Sequence, residues 1–258
     1  MKCKICQNES RKIFDAIILN KYRVDYFYCD NCGFLQTEEP YWLTEAYGEP
    51  INISDTGYLQ RNISLSKKTL FLFLFLFGKK YKYLDYAGGY GVLTRLMRDL
   101  GMDFYWNDKY AKNLFARGFS HKFQKIKAIT CLECFEHFNE PIREIENILN
   151  ISKNIFFSTT LLPIDNPPKP EKWWYYGLEH GQHISFYSIK TLKIMAKKFH
   201  LNFYTNNTDL HFFTEKNINN KIFKILMFLS KFNIDLFIKK IIKSKVIQDY
   251  KFIVSNIK

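Results

Sequence analysis

The sequence predicts a doubly wound α/β fold carrying a small module at its N-terminus and a basic helical tail. Three observations predict it. From residue 81 onward, apolar strand-like runs alternate with helical runs at the spacing of βαβ units. The first of these strands, in "YKYLDYAGGYG" (81–91), runs into a glycine-rich turn. Four cysteines stand as two CxxC pairs ahead of this pattern. At 258 residues, 47% of them apolar, the chain can bury one substantial core and a small second one.

The N-terminal module spans residues 1–40. Cys3-x-x-Cys6 and Cys29-x-x-Cys32 are separated by 22 residues, and Gly33 follows the second pair. Two such knuckles on a β-rich spacer predict a zinc ribbon with Cys3, Cys6, Cys29 and Cys32 as ligands. Four thiolates leave no open position, so the metal is structural and carries much of the module's folding free energy, on the order of 10 kcal/mol. Ribbon contact with nucleic acid is the functional alternative. Cys131 and Cys134 form a further CxxC, expected to be buried, reduced thiols.

Residues 41–78 form a connection and a first helix. The run 58–77 ends in "LFLFLFLF", which has no polar alternation and so reads as a helix end buried on all sides, stopped by Gly78. The core domain is expected over 79–215. Strands are expected in "YKYLDYA" (81–87), "DFYWND" (103–108), "KAITCL" (127–132), "NIFFSTT" (154–160) and "LNFYTN" (201–206). Helices are expected in 90–101, in "AKNLFARG" (111–118), in "PIREIENILNI" (141–151) with proline at its start, and in 188–199. A long irregular stretch covers 161–187. The tail, 216–258, reads as amphipathic basic helices over 218–247 followed by a last strand at 250–256, which makes the helices an insertion before the final strand of a seven-stranded, mostly parallel sheet.

The net charge of +13 points first to nucleic acid or an anionic surface, but the tail alone holds ten lysines against two aspartates. A basic groove across the core domain is therefore not indicated, and nucleic acid is not the expected partner. The tail, over 216–247, is instead expected to contact an anionic membrane or to be a solvated face. There is no apolar leader at the N-terminus, and the longest apolar run is too short to span a bilayer. A cytoplasmic protein is expected, at the inner face of the membrane if the tail binds there.

The glycine turn fits two ligands: the pyrophosphate of a dinucleotide, or S-adenosylmethionine (SAM). Asp108, 23 residues after Asp85, suits a ribose in either case. Asp85 at the strand end discriminates, because a carboxylate there opposes phosphates and favours a sulfonium and an ammonium. Ala87 stands where such loops usually carry their first glycine. A negative φ is expected there, with Gly89 and Gly91 making the close approach.

"YLDYAGGYGVLTRLM", "WNDKYAKNLFARGF", "ITCLECFEHF", "FSTT" and "GQHISFYS", in that order, resemble class I SAM-dependent methyltransferases. The resemblance covers residues 1 to about 215 and is greatest to the bacterial subgroup with an N-terminal zinc ribbon, which includes sugar methyltransferases. It implies a Rossmann-like fold, SAM as cofactor and a structural zinc. By position, Asp85, Gly89 and Gly91 would line the methionine part, with Ala87 and Gly88 in the same loop. Asp108 would bind the ribose, Lys109 and Tyr110 would border the adenine, and Glu133 would sit near the methionyl end. The basic tail departs from the pattern.

Methyl transfer needs alignment above all, and a hydroxyl acceptor also needs a base. "ECFEHF" offers Glu133, Glu136 and His137, the last also readable as a packing residue. "YYGLEHGQH" offers Glu179, His180 and His183 inside the irregular stretch, beside the aromatic run "WWYY" (173–176), whose faces suit a sugar ring. In the resembled sugar methyltransferases an acidic–His pair in this region is associated with the substrate. His180 as base, Glu179 as its orienting partner and His183 as alternate are therefore expected. His180 and His183 could also be two metal ligands, with no obvious third. Two other functions stay open: methylation of RNA, and a methyltransferase fold that binds without catalysis.

Overall fold

The computed structural model describes residues 1–48, 51–122, 124–163, 167–232 and 242–256. They form ten strands in two sheets. The first sheet has the order β1-β2-β3-β8, with β1 Arg11–Ile18, β2 Tyr22–Cys29, β3 Phe34–Thr37 and β8 Ser185–Phe186. The second has six strands in the order β5-β4-β6-β7-β10-β9, with β4 Lys82–Tyr86, β5 Asp103–Asn107, β6 Ile126–Cys131, β7 Ile155–Ser158, β9 Asn202–Thr205 and β10 Leu210–Thr214. Strand β4 lies parallel to both β5 and β6, whereas β9 and β10 form an antiparallel hairpin. By contacts the chain divides into two compact units, one of residues 1–52, 133–153 and 157–217, the other of residues 53–132, 154–156 and 218–258.

In the first unit the ribbon strands are not a free-standing module. Strand β3 pairs with β8, Leu35 opposite Phe186 and Gln36 opposite Ser185. Their shared core holds Tyr26, Leu35, Trp42, Tyr175, Tyr176, Ile184 and Phe186. The second knuckle also leans on helix α5 (Ile189–Lys198). The Thr191 hydroxyl donates to the Cys32 carbonyl at 2.9 Å, and a Cβ on Gly33 would lie 2.4 Å from the Ser188 hydroxyl oxygen. Ser188 in turn caps α5 through the Thr191 backbone N–H, in a capping box with that residue. Helices α1 (Leu43–Ala46) and α4 (Pro141–Ile151) complete this unit, and α4 starts on the expected proline.

In the second unit, helix α2 (Tyr58–Leu76) covers one face of the parallel strands, and its buried Phe73 stacks on Tyr83 of β4 at 5.0 Å and on Phe104 of β5 at 6.0 Å. Helix α3 (Val92–Asp99) follows the glycine turn and buries Val92, Leu93, Thr94, Met97 and Arg98. Helix α6 (Asn220–Leu229) adds Phe223, Leu226 and Met227 to the core. Among the described residues no helix is long and apolar enough to cross a membrane.

The structure corrects three expectations. The second sheet has six strands, not seven. The expected last strand, 250–256, belongs to helix α7 (Val246–Asn256). Its buried Asp249 meets Arg98, while Phe252 packs on Phe119 and Ile253 lies over Gly118. Residues 249, 252 and 253 share one helical face, which a strand would split between two sides. The expected helix 111–118 is irregular, because Asn113 takes the backbone for itself: its side chain accepts from Ala116 N at 2.9 Å and donates to Ala116 O at 2.9 Å. Of the tail, 233–241 lies outside the described residues.

Candidate functional site

Strand β4 delivers Asp85 to the foot of the glycine turn. The carboxyl is 2% exposed and accepts hydrogen bonds from the Thr130 hydroxyl at 2.9 Å and the Thr94 hydroxyl at 3.1 Å. Burial pushes its pKa up to about 7, with the Asp108 charge adding in the same direction. A Cβ on Gly88 would lie 2.7 Å from Asp85 Oδ2 and 2.9 Å from the Trp106 ring, so only glycine lets the turn close over this carboxyl. Trp106 then donates from Nε1 to the Gly89 carbonyl at 2.9 Å, and Gly88 N donates to the Asn107 carbonyl at 3.1 Å, tying the turn to β5.

Ala87 has φ +54°, not the negative value expected. The turn from β4 toward Gly89 and Gly91, at φ +53° and +86°, passes through the left-handed region at residue 87 as well. For an alanine this costs roughly 1–2 kcal/mol, offset by the tie to β5 and the burial around it.

Asp108 acts first as a staple for the loop. Its Oδ2 accepts from Gly89 N at 2.9 Å, and its Oδ1 accepts from Tyr110 N and Ala111 N, both at 2.7 Å. With two lone pairs per oxygen, this half-buried carboxylate keeps acceptor capacity on Oδ2 for one further hydroxyl. Lys109 and Tyr110 are exposed, the ammonium 5.2 Å from the Tyr110 ring centre. Tyr58, at the start of α2, also belongs here: burial and the nearby Asp85 charge push its hydroxyl up to about 12. Among the described residues, the two charged side chains hydrogen-bonded in and under this turn, Asp85 and Asp108, are carboxylates. That set fits a cationic ligand with a ribose and opposes a pyrophosphate.

The first unit holds the other expected residues. Glu133 has φ +50° and is locked to Ser158, whose hydroxyl accepts from Glu133 N and donates to its carboxylate. Glu136 and His137 lie on a single 3-10 turn, Phe135–His137, anchored by Phe135 stacked on Phe157 at 4.0 Å. His183 enters from the irregular stretch and is pinned by its neighbour, Ile184 N donating to the Glu136 carbonyl at 2.9 Å. His137 and His183 lie with ring centres 5.0 Å apart, and Tyr175 stands 4.8 Å from His183.

Tautomers separate the histidines. His137 Nδ1 lies 3.0 Å from the Gln182 carbonyl and His183 Nδ1 lies 2.7 Å from the Tyr175 carbonyl. Both must donate there, which leaves the lone pair of each neutral ring on Nε2. Burial holds His137 down to about 4, so it is neutral near pH 7. His180 is the reverse: its Nδ1 accepts from Gln182 N at 3.1 Å, and its Nε2 edge packs over Gly177, where a Cβ would come within 2.2 Å. The lone pair of His180 is therefore spent on the backbone, and Glu179 is exposed.

The four cysteines converge as the spacing predicts. Each offers a sulfur within 4.8 Å of the other three, with Cys3 and Cys32 at 3.4 Å and Cys6 and Cys29 at 3.5 Å. Thiolates of a tetrahedral zinc stand about 3.8 Å apart, so the cluster matches such a site. The two knuckles are built alike. Gln7 N donates to Cys3 O and Gly33 N to Cys29 O, and these residues have φ +62° and +72°. Backbone and side-chain N–H groups of Ile5, Asn8 and Asn31 point at the sulfurs of Cys3 and Cys6, and the bond with Cys32 holds the Cys3 thiol down to about 5. Cys131 and Cys134 are buried and form no disulfide.

Sequence reading missed Tyr58, Thr94, Trp106 and Thr130 around the turn. No local pattern marks them, because four elements bring them to Asp85. It named Glu136 but had no signal for its burial.

A family model described as a methyltransferase domain matches residues 58–206. No curated protein matches the chain. Among solved structures, it is similar to CalO1, a methyltransferase in calicheamicin biosynthesis, in its SAH-bound form, at 10% identity and a TM-score of 0.44 over 67% of this chain and 61% of that one. An O-methyltransferase family 2 protein from Planctomyces limnophilus DSM 3776 gives 13% identity and a TM-score of 0.43 over 67% of this chain and 66% of that one. Magnesium protoporphyrin IX methyltransferase from Synechocystis PCC 6803, with bound SAH, gives 11% and 0.42 over 67% and 93%. The chain thus spans less than two thirds of the length of the first two.

Proposed function

Because the chain belongs to the methyltransferase domain family, matched across more than half its length, we propose that it transfers a methyl group from SAM to a sugar or glycan. The observation that carries the cofactor reading is the all-carboxylate turn. Asp85 lies beneath it and Asp108 staples it, with capacity left on Oδ2 for one ribose hydroxyl. SAM, when bound, supplies an electrophilic methyl on a cationic sulfur. The chain's part is to hold that cation beside the Asp85 carboxylate, to exclude water and to align an acceptor.

The acceptor reading rests on the first unit. Trp174 is 79% exposed and packs edge-on against the buried Tyr175 at 5.4 Å, and Tyr175 in turn stands 4.8 Å from His183. Aromatic faces suit the apolar faces of a sugar, and the histidine lone pairs suit its hydroxyls. Tautomer geometry favours His183 and His137 over His180 as the groups that activate the acceptor. His183→Ala and His137→Ala are expected to leave SAM affinity unchanged and to lower turnover by roughly 10²-fold or more, measured with labelled SAM and a panel of nucleotide-linked sugars. Full turnover in both variants would exclude this cluster from the chemistry.

A further inference from the structure

Among the described residues, Glu136 is a buried carboxyl whose place the fold does not explain. It is 0% exposed, and neither carboxylate oxygen makes a hydrogen bond among the described residues. The Tyr175 and Thr159 hydroxyls act on this carboxyl and favour its charged form, but they bond to each other at 3.2 Å and neither makes a hydrogen bond to it. Burying a carboxyl without partners is costly, and such a group normally has a reason to be kept.

The reason lies beside it. Glu136, His137 and His183 each offer one ligand atom, all within 4.8 Å of one another. The nitrogen of each ring that carries the lone pair is Nε2, since each Nδ1 is turned to a backbone carbonyl. That is the arrangement in which outer hydrogen bonds fix metal-binding histidines. We propose that Glu136, His137 and His183 bind a divalent transition-metal ion, distinct from the ion of the four cysteines. Two imidazoles and one carboxylate form the donor set of open, three-ligand sites, which keep a further position for an oxygen ligand. Ligands on one such ion stand about 3.4 Å apart, so the site closes with side-chain shifts of about 1 Å. The surroundings restrict larger motion: the 3-10 turn is anchored on Phe157, and Ile184 is held from both sides by Glu136 O and by Thr37 N at 3.1 Å.

The metal's role, though not its binding, rests on the reading of the protein as a methyltransferase. The open position is where an acceptor oxygen would be held, so the histidine lone pairs would activate it through the ion. His180, its ring centre 4.7 Å from His183, flanks the site without a ligand nitrogen turned to it.

The test titrates full-length, zinc-loaded protein with Co2+, read by calorimetry and by visible absorption, with SAM titrated into the same preparation. One further equivalent of Co2+ is expected to bind, without the thiolate charge-transfer band that a cysteine site gives. Glu136→Gln, which keeps size and shape, and His183→Ala are expected to weaken it at least about 100-fold, and His180→Ala to leave it in place. Absence of a further equivalent at millimolar Co2+, or an equivalent that survives both ligand substitutions, overturns the proposal. If His183→Ala fails to fold, Glu136→Gln and the wild-type stoichiometry decide. Co2+ binding without SAM binding would count against the methyltransferase reading and leave the metal site standing. SAM binding without the second metal would do the opposite.

Discussion

Removing the metal from the four-cysteine cluster, by chelation or by Cys29→Ser, is expected to melt strands β1 to β3. The strands bury few residues apart from the first unit's shared core, and the cluster ties both knuckles to one centre. A zinc ion on four thiolates contributes on the order of 10 kcal/mol to folding, comparable to the net stability of a whole domain. The loss should not stop at residue 40. Among the described residues β3 is the one neighbour of β8 in their sheet, and β8 follows His183 by two residues. Hydrogen exchange should therefore speed up over 11–37 and over 175–187 together, and turnover should fall with it. The Asp85 turn, built wholly from the second unit, should keep its SAM affinity. A metal-free protein with native protection over 11–37 would contradict this account of the ribbon.

The second large effect concerns a buried ion pair in the second unit. Arg98 donates from Nε and Nη2 to the two carboxylate oxygens of Asp249 at 2.8 and 2.7 Å, and both side chains are 4% exposed. Arg95 adds a third bond to Asp249 at 2.9 Å, while Asp103 and the Phe104 carbonyl take Arg98 Nη1. Asp249→Ala leaves a buried guanidinium with only part of its partners. It is expected to cost about 3–5 kcal/mol, seen as a lower midpoint in calorimetry. Replacing both partners, Asp249→Ala with Arg98→Met, should recover part of the loss, since the stranded charge goes with them. A loss under about 1 kcal/mol for Asp249→Ala would mean that helix α7 is not anchored by this pair.

What was legible in the sequence follows from range. Helices α2, α3, α4 and α5 and strands β4 to β7 announce themselves through local periodicity, Pro141 and the glycines. The cysteine cluster was legible because knuckle spacing is itself local. The failures are long-range or conformational. "YKFIVSN" reads as a strand until Asp249 is seen to need Arg98, 151 residues earlier. "AKNLFARG" has helical composition, but one Asn side chain captures its backbone. Strand β8 has two residues and no signature of its own; only its pairing with Leu35 and Gln36 makes it a strand. Ala87 was expected at negative φ from its Cβ alone, whereas the turn geometry sets it at +54°. At the candidate site, residue types were legible and roles were not. Which nitrogen of each histidine carries the lone pair depends on backbone groups that no motif records.

The claim most exposed to test is that the turn holds a cation. With Asp85 pushed up to about 7, its ionised fraction rises from about one-tenth at pH 6 to about nine-tenths at pH 8. Ionisation favours a cation and opposes a pyrophosphate. Calorimetric titration with SAM and with NAD at both pH values separates the two. SAM is expected to bind, more tightly at pH 8 than at pH 6 as Asp85 ionises, and Asp85→Asn is expected to remove that gain. NAD binding in preference to SAM, or SAM affinity that falls as pH rises, would contradict the account.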